Sequence, residues 1–186
     1  MTGFKHTHLP LFLTALCLVG LSGCSFHLAV PEVFAYETVK HGDTFKLQQG
    51  IHFPAYTAAV TIQNGSQKSG FKLDQYYPFC TLELKTQSSS YRIIQQDTFT
   101  VYKVNAYTEY VMKPGVRYAS LGLLLADNSS DIVYKTVFYL KSENQPGVEL
   151  LSCQHWDDPS THPYHLSLAQ IKQTLNGVFI IDSVKP

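Results

Sequence analysis

Charged side chains are scarce in this 186-residue chain, making up 15% of it, where soluble domains usually carry about 25%. Lys plus Arg and Asp plus Glu balance at 14 each. The clustered basic excess that neutralises phosphates is therefore missing, and no nucleic-acid partner is expected. Long apolar runs are also missing. The longest, even counted from Leu9 to Leu21, falls short of the roughly 18 residues a membrane-spanning helix needs. No Gly-x-Ser-x-Gly elbow, His-Glu-x-x-His helix or Gly-x-x-x-x-Gly-Lys phosphate loop occurs. Two of the four cysteines, Cys80 and Cys153, are too far apart for a Cys-x-x-Cys redox site. Enzymatic activity has no positive signal, and no cofactor is expected. Apolar residues at 45% and aromatics at 13% exclude intrinsic disorder, which needs low hydrophobicity and high net charge.

The first 24 residues carry an address. Lys5 and the amino terminus form a short positive region, residues 11–19 a compact apolar stretch, and small residues lead into Cys24. That order is a secretory signal. Leu21-Ser22-Gly23-Cys24 resembles the lipobox of bacterial lipoproteins; the alternative is a conventional signal in which Cys24 is an ordinary cysteine. The resemblance implies cleavage before Cys24, diacylation of its thiol and acylation of the new amine by chains of the palmitate class. Three acyl chains exceed what stable anchoring requires, so the membrane is the first expected partner. Ser25 stands where an Asp would signal inner-membrane retention, which implies the outer membrane, on its periplasmic face. Residues 24–32 then read as a short tether, in which the eight residues from Cys24 to Pro31 span at most about 28 Å when extended. Residues 33–186 read as one globular domain.

Besides Cys24, the mature chain keeps only Cys80 and Cys153. In an oxidising envelope two leftover thiols most simply pair.

The body reads as short strands separated by polar turns. Expected strands cover residues 34–39, 44–47, 56–63, 79–85, 99–104, 107–112, 117–125, 132–140 and 148–153. Asn64-Gly65 and Asp127-Asn128-Ser129-Ser130 are turn signals between them. Residues 79–85 alternate most cleanly, with Cys80, Leu82 and Leu84 on one face. Spacing of about ten residues points to an antiparallel sandwich or barrel-like sheet. One C-terminal helix is signalled by Ser167 and Gln170 as a capping box, Leu166 and Ile171 as a staple, and Gly177 as a stop. It is expected at an edge or open end of the sheet, with a last strand at 178–181.

The segment from His155 to His165 is the one concentration of chemistry-bearing residues. It holds His155, His162 and His165, the carboxylates Asp157 and Asp158, and the single Trp156. Three imidazoles with Asp157 as an oxygen ligand could hold Zn²⁺ or Cu²⁺, but the spacing matches no established metal pattern. The simpler reading is a polar surface loop broken by Pro159 and Pro163. A third reading makes Trp156 and Tyr164 a sticky binding surface. Asp157 and Asp158, adjacent in an extended segment, point apart and are poor as a catalytic pair. Most tyrosines fit the half-buried faces of a sheet. Tyr76 and Tyr77 stand out as binding candidates, because Pro78 and a polar run place them in a connection.

Beyond the lipobox, the chain resembles the β-rich lipoproteins of Gram-negative envelopes in general character. That likeness implies a non-enzymatic structural or interaction module with an envelope protein or glycan partner. The alternative is a periplasmic module that binds a glycan, a lipid or another small ligand, and a weaker one is a metal-dependent enzyme built on residues 155–165.

Overall fold

Alternating apolar residues help build an antiparallel sheet here, and the alternation is clearest over Thr44–Leu47, Phe79–Leu84 and Phe179–Asp182. The computed structural model describes residues 37–112, 130–157 and 164–184, all within the compact unit Phe34–Pro186. The lipobox, Cys24, the tether, the strand expected at 117–125, and Asp158 and His162 lie outside the described residues.

Among the described residues ten strands run in order: β1 (Thr44–Leu47), β2 (Ile51–Phe53), β3 (Ala59–Gln63), β4 (Ser66–Lys68), β5 (Phe79–Leu84), β6 (Arg92–Ile94), β7 (Thr98–Met112), β8 (Ser130–Lys141), β9 (Val148–Asp157) and β10 (Phe179–Asp182). One helix, α1 (Leu168–Thr174), lies between β9 and β10. Eight strands form one sheet in the order β10-β1-β7-β8-β9-β5-β3-β4, every pair antiparallel. The sheet curls into a half-barrel, and β2 and β6 pair separately. The fold is mainly β with one helix near the C-terminus, as the turn spacing predicts.

The concave face carries the core. Phe45, Leu47, Ile62, Leu82, Phe99, Phe138 and Leu151 are all at most 1% exposed. Burying such side chains is the main favourable term in the fold, at about 1.5–3 kcal/mol each. The helix forms where its capping box predicts. Ser167 Oγ accepts from Gln170 N, and Gln170 Oε1 accepts from Ser167 N. Its apolar stripe, Leu168, Ile171 and Leu175, is buried. α1 reaches the edge strand β10, within the edge or open-end placement expected for it. It packs against both β5 and β10, strands far apart in the sheet order, and so crosses the open side of the curl.

The expected strands needed correction at four places. Residues 99–104 and 107–112 belong to one continuous 15-residue strand, β7, because β8 pairs with it from Thr100 to Met112. Residues 37–39 are not a strand, and β3 begins at Ala59, after a turn. β9 does not stop at Cys153 but runs to Asp157.

Cys80 and Cys153 are joined by a disulfide. They face each other directly in the β5–β9 register, and both are fully buried.

Candidate functional site

The extension of β9 determines how the histidine segment is arranged. Its last residues pair with β8 as Tyr134↔His155, Val133↔Trp156 and Ile132↔Asp157. Period two then places His155 and Asp157 on the face of Cys153, and Trp156 on the other. The start of this segment is strand, not loop, which corrects the reading of His155, Trp156 and Asp157 as part of a loop.

Tyr134, 7% exposed, is the centre of the group. The His155 ring lies 5.8 Å from it and the His165 ring 5.6 Å, edge-on. Thr136 Oγ1 is 3.2 Å from His165 Nδ1, and His155 Nε2 is 3.9 Å from Asp157 Oδ2. His155 Nδ1 and Trp156 Nε1 are buried without a hydrogen-bond partner. Burial lowers the His155 pKa, and the Asp157 carboxylate opposes that effect only in part. Burial raises the Tyr134 pKa, with the charges of Tyr110 and Asp157 adding to it. The group is an imidazole–phenol cluster in which burial disfavours the charged forms of His155 and Tyr134. Of the proposed ligands, His155, Asp157 and His165 are brought to one region, but both imidazoles pack on Tyr134. Among the described residues no group of three or more His, Cys, Asp or Glu could hold a metal ion.

A pH dependence follows. Burial disfavours the protonated form of His155 in the fold, whereas the unfolded side chain titrates normally, near 6.5. Its pKa is depressed in the folded state, so the unfolded chain takes up a proton first as pH falls. Stability is full above about pH 6.5 and declines below it, down to the folded pKa. His155→Gln should flatten this part of the profile. Urea midpoints of parent and variant at pH 7.5 and pH 5 measure it, and an unchanged parent–variant difference would contradict it.

Tyr76 and Tyr77 lie in the connection between β4 and β5, 53% and 64% exposed. Tyr76 is tethered, its hydroxyl donating to Asp131 Oδ2 at 2.9 Å. Trp156 N donates to Gln75 O at 2.9 Å, fastening the connection to the end of β9. An open depression lies along residues 72–76. Tyr164 is 51% exposed. Gln63 organises this connection and was missed in the sequence. It is 4% exposed, its Nε2 donates to Asp74 O at 2.7 Å, and its Oε1 accepts from Asp74 N at 3.2 Å. A glutamine beside a turn gives no signal of such a role.

The sheet reading of the tyrosines fails along β7. Tyr102, Tyr107 and Tyr110 are 50%, 42% and 71% exposed. Tyr102 and Tyr139 rings stand 6.0 Å apart, Lys103 Nζ lies 5.1 Å above the Tyr139 ring, and Asn105 Nδ2 donates to Tyr107 Oη at 2.7 Å. A hydrogen bond with Tyr107, then its charge, raises the Tyr139 pKa. Tyr102, Tyr107 and Tyr139 form an aromatic strip bordered by Lys103 and Asn105, with Tyr110 on the other face of β7.

No family model, curated protein or solved structure matches the chain.

Proposed function

We propose that this chain is a lipoprotein of the outer membrane, facing the periplasm, and that it serves the envelope as a non-enzymatic structural or interaction module. The observation that carries the reading is Leu21-Ser22-Gly23-Cys24 behind a positive and an apolar segment. The Cys80–Cys153 disulfide agrees with an oxidising compartment. Exposed tyrosines along β7 supply the interaction surface, since Tyr joins an apolar ring to a polar tip and is enriched where proteins meet. Among the described residues no helix is long and apolar enough to cross a membrane, so attachment in this reading is by the acyl chains.

Changing Cys24 to Ala tests it. Parent protein produced with an alkyne fatty acid should carry label and sediment with membranes. The variant should lose the label and appear uncleaved or soluble. Label retained on the Ala variant would rule out acylation at Cys24.

A second reading, a glycan-binding module, is favoured by the strip of Tyr102, Tyr107 and Tyr139 bordered by Lys103 and Asn105. Aromatic faces beside hydrogen-bond donors suit sugar rings. The strip is open rather than enclosed, so a polymer would suit it better than a monosaccharide.

A further inference from the structure

β7 is 15 residues long, yet β1 pairs with it only over Thr98–Thr100. The last contacts on that side are Val101 N to Asp43 O and Gly42 N to Val101 O. The register with β8 shifts between Val101 and Lys103, a bulge at Tyr102. From Lys103 to Met112 β7 has β8 on one side and, among the described residues, no strand on the other. Residues 106–110 are exposed. The free edges of the sheet itself, β4 and β10, have only three and four residues. Short edges limit unwanted pairing, and a long one is a template for another strand.

We propose that this edge docks a second copy of the chain, antiparallel, with Tyr107 on the two-fold axis. The inference goes beyond the proposed function and does not depend on the anchor. Two constraints select the register. Centring on Ala106 would bring the partner's Val111 and Met112 opposite Val101 and Thr100, where β1 already pairs. Centring on Tyr107 brings the partner's Met112 only as far as Tyr102, just short of β1. Centring on Thr108 also clears β1 but carries Lys103 past the partner's Met112, the end of β7.

With Tyr107 central, side chains complement each other on both faces. On one face Tyr107 meets its symmetry mate, and Asn105 stands opposite the partner's Glu109. Lys103 stands opposite the partner's Val111 and diagonal to the partner's Glu109, within reach of a long side chain. On the other face Val104 meets the partner's Tyr110, an aromatic–β-branched pair, and Ala106 meets the partner's Thr108. No like charges face each other. Isologous pairing of this kind closes on itself, so it yields a dimer and not a fibre. An interface of nine residues a side is at the low end of interface size, so the pair should be weak at high dilution.

The test places the photo-crosslinking residue p-benzoylphenylalanine at Tyr110 of the full chain in the producing cells. Illumination should give an adduct of twice the chain mass, joined to the peptide containing Val104 of a second copy. The same probe at Tyr56, 73% exposed and outside this edge, should give none. Tyr107→Lys in the Tyr110 probe chain would set two ammonium groups together on the axis. It should cut the adduct about tenfold, while Tyr107→Phe should retain it. An intact Cys80–Cys153 bond in each variant shows that the chain still folds. Attachment to a different polypeptide, no adduct at Tyr110, an equal yield at Tyr56, or indifference to Tyr107→Lys would each overturn the second copy as occupant.

Discussion

Replacing Cys80 and Cys153 together with Ala should lower the unfolding free energy by about 4 kcal/mol on the chain-entropy relation. The bond spans a sequence separation of 73 residues, and opening so long a loop enlarges the unfolded ensemble. It also joins β5 and β9, which stand next to each other in the sheet. The loss should appear as a fall in melting temperature of roughly 10 °C, taking about 2–4 °C per kcal/mol for a domain of this size. Both cysteines are fully buried, so reductant alone should act slowly on native protein and quickly in denaturant. Urea unfolding of parent and double variant measures the difference. A change below about 1 kcal/mol would show that the bond does not constrain the unfolded chain as proposed.

Gly65→Ala should cost about as much, for a different reason. Asn64 and Gly65 have φ of 51° and 69° and form the two-residue turn between β3 and β4, where both central residues need positive φ. A non-glycine residue in that region costs roughly 1–2 kcal/mol. Gly65 also approaches the end of α1. Its N–H donates to Thr174 O at 2.9 Å, and a Cβ there would lie 2.3 Å from Asn176 O. That oxygen is backbone, so relief requires the helix end to move off the turn. Gly177 provides the control, because its φ is +75° but nothing lies within 4 Å of a Cβ. Gly177→Ala should cost only the conformational share, about 1 kcal/mol, and Gly65→Ala about 3 kcal/mol with the displacement added. Gly65→Asn should not restore stability, since its Cβ meets the same oxygen. Equal losses at both glycines would contradict the close-approach account.

The fold class was legible because apolar residues at Phe45 and Leu47 and at Leu82 and Leu84 alternate with polar ones, and polar turns recur about every ten residues. The helix was legible because Ser167 and Gln170 cap it within four residues. The end of β9 was not. From Gln154 to Asp157 the alternation continues, but its inward side chains are an imidazole and a carboxylate, which a hydrophobic pattern does not register. The continuity of β7 was hidden by Asn105 and Ala106, weak strand formers that pairing with β8 overrides. β2, β4 and β6 have three residues each, too few for any periodicity.

The candidate site was legible only as residue types. His155, Asp157 and His165 do gather, but around Tyr134, which β8–β9 register sets beside His155 and which His165 meets edge-on from outside the sheet register. Counting cysteines pointed to the Cys80–Cys153 pair, and register explains it. The exposure of Tyr102, Tyr107 and Tyr110 was not legible, because alternation along one strand does not reveal whether a neighbouring strand stops at Thr44.

The envelope reading rests on the chemistry of Cys24, and intact mass spectrometry of the protein extracted from membranes addresses it most directly. The account predicts a polypeptide beginning at Cys24, two hydrogens lighter for the Cys80–Cys153 bond, and heavier by a diacylglyceryl group and one amide-linked acyl chain. A chain that begins elsewhere, or begins at Cys24 without acyl mass, would contradict it.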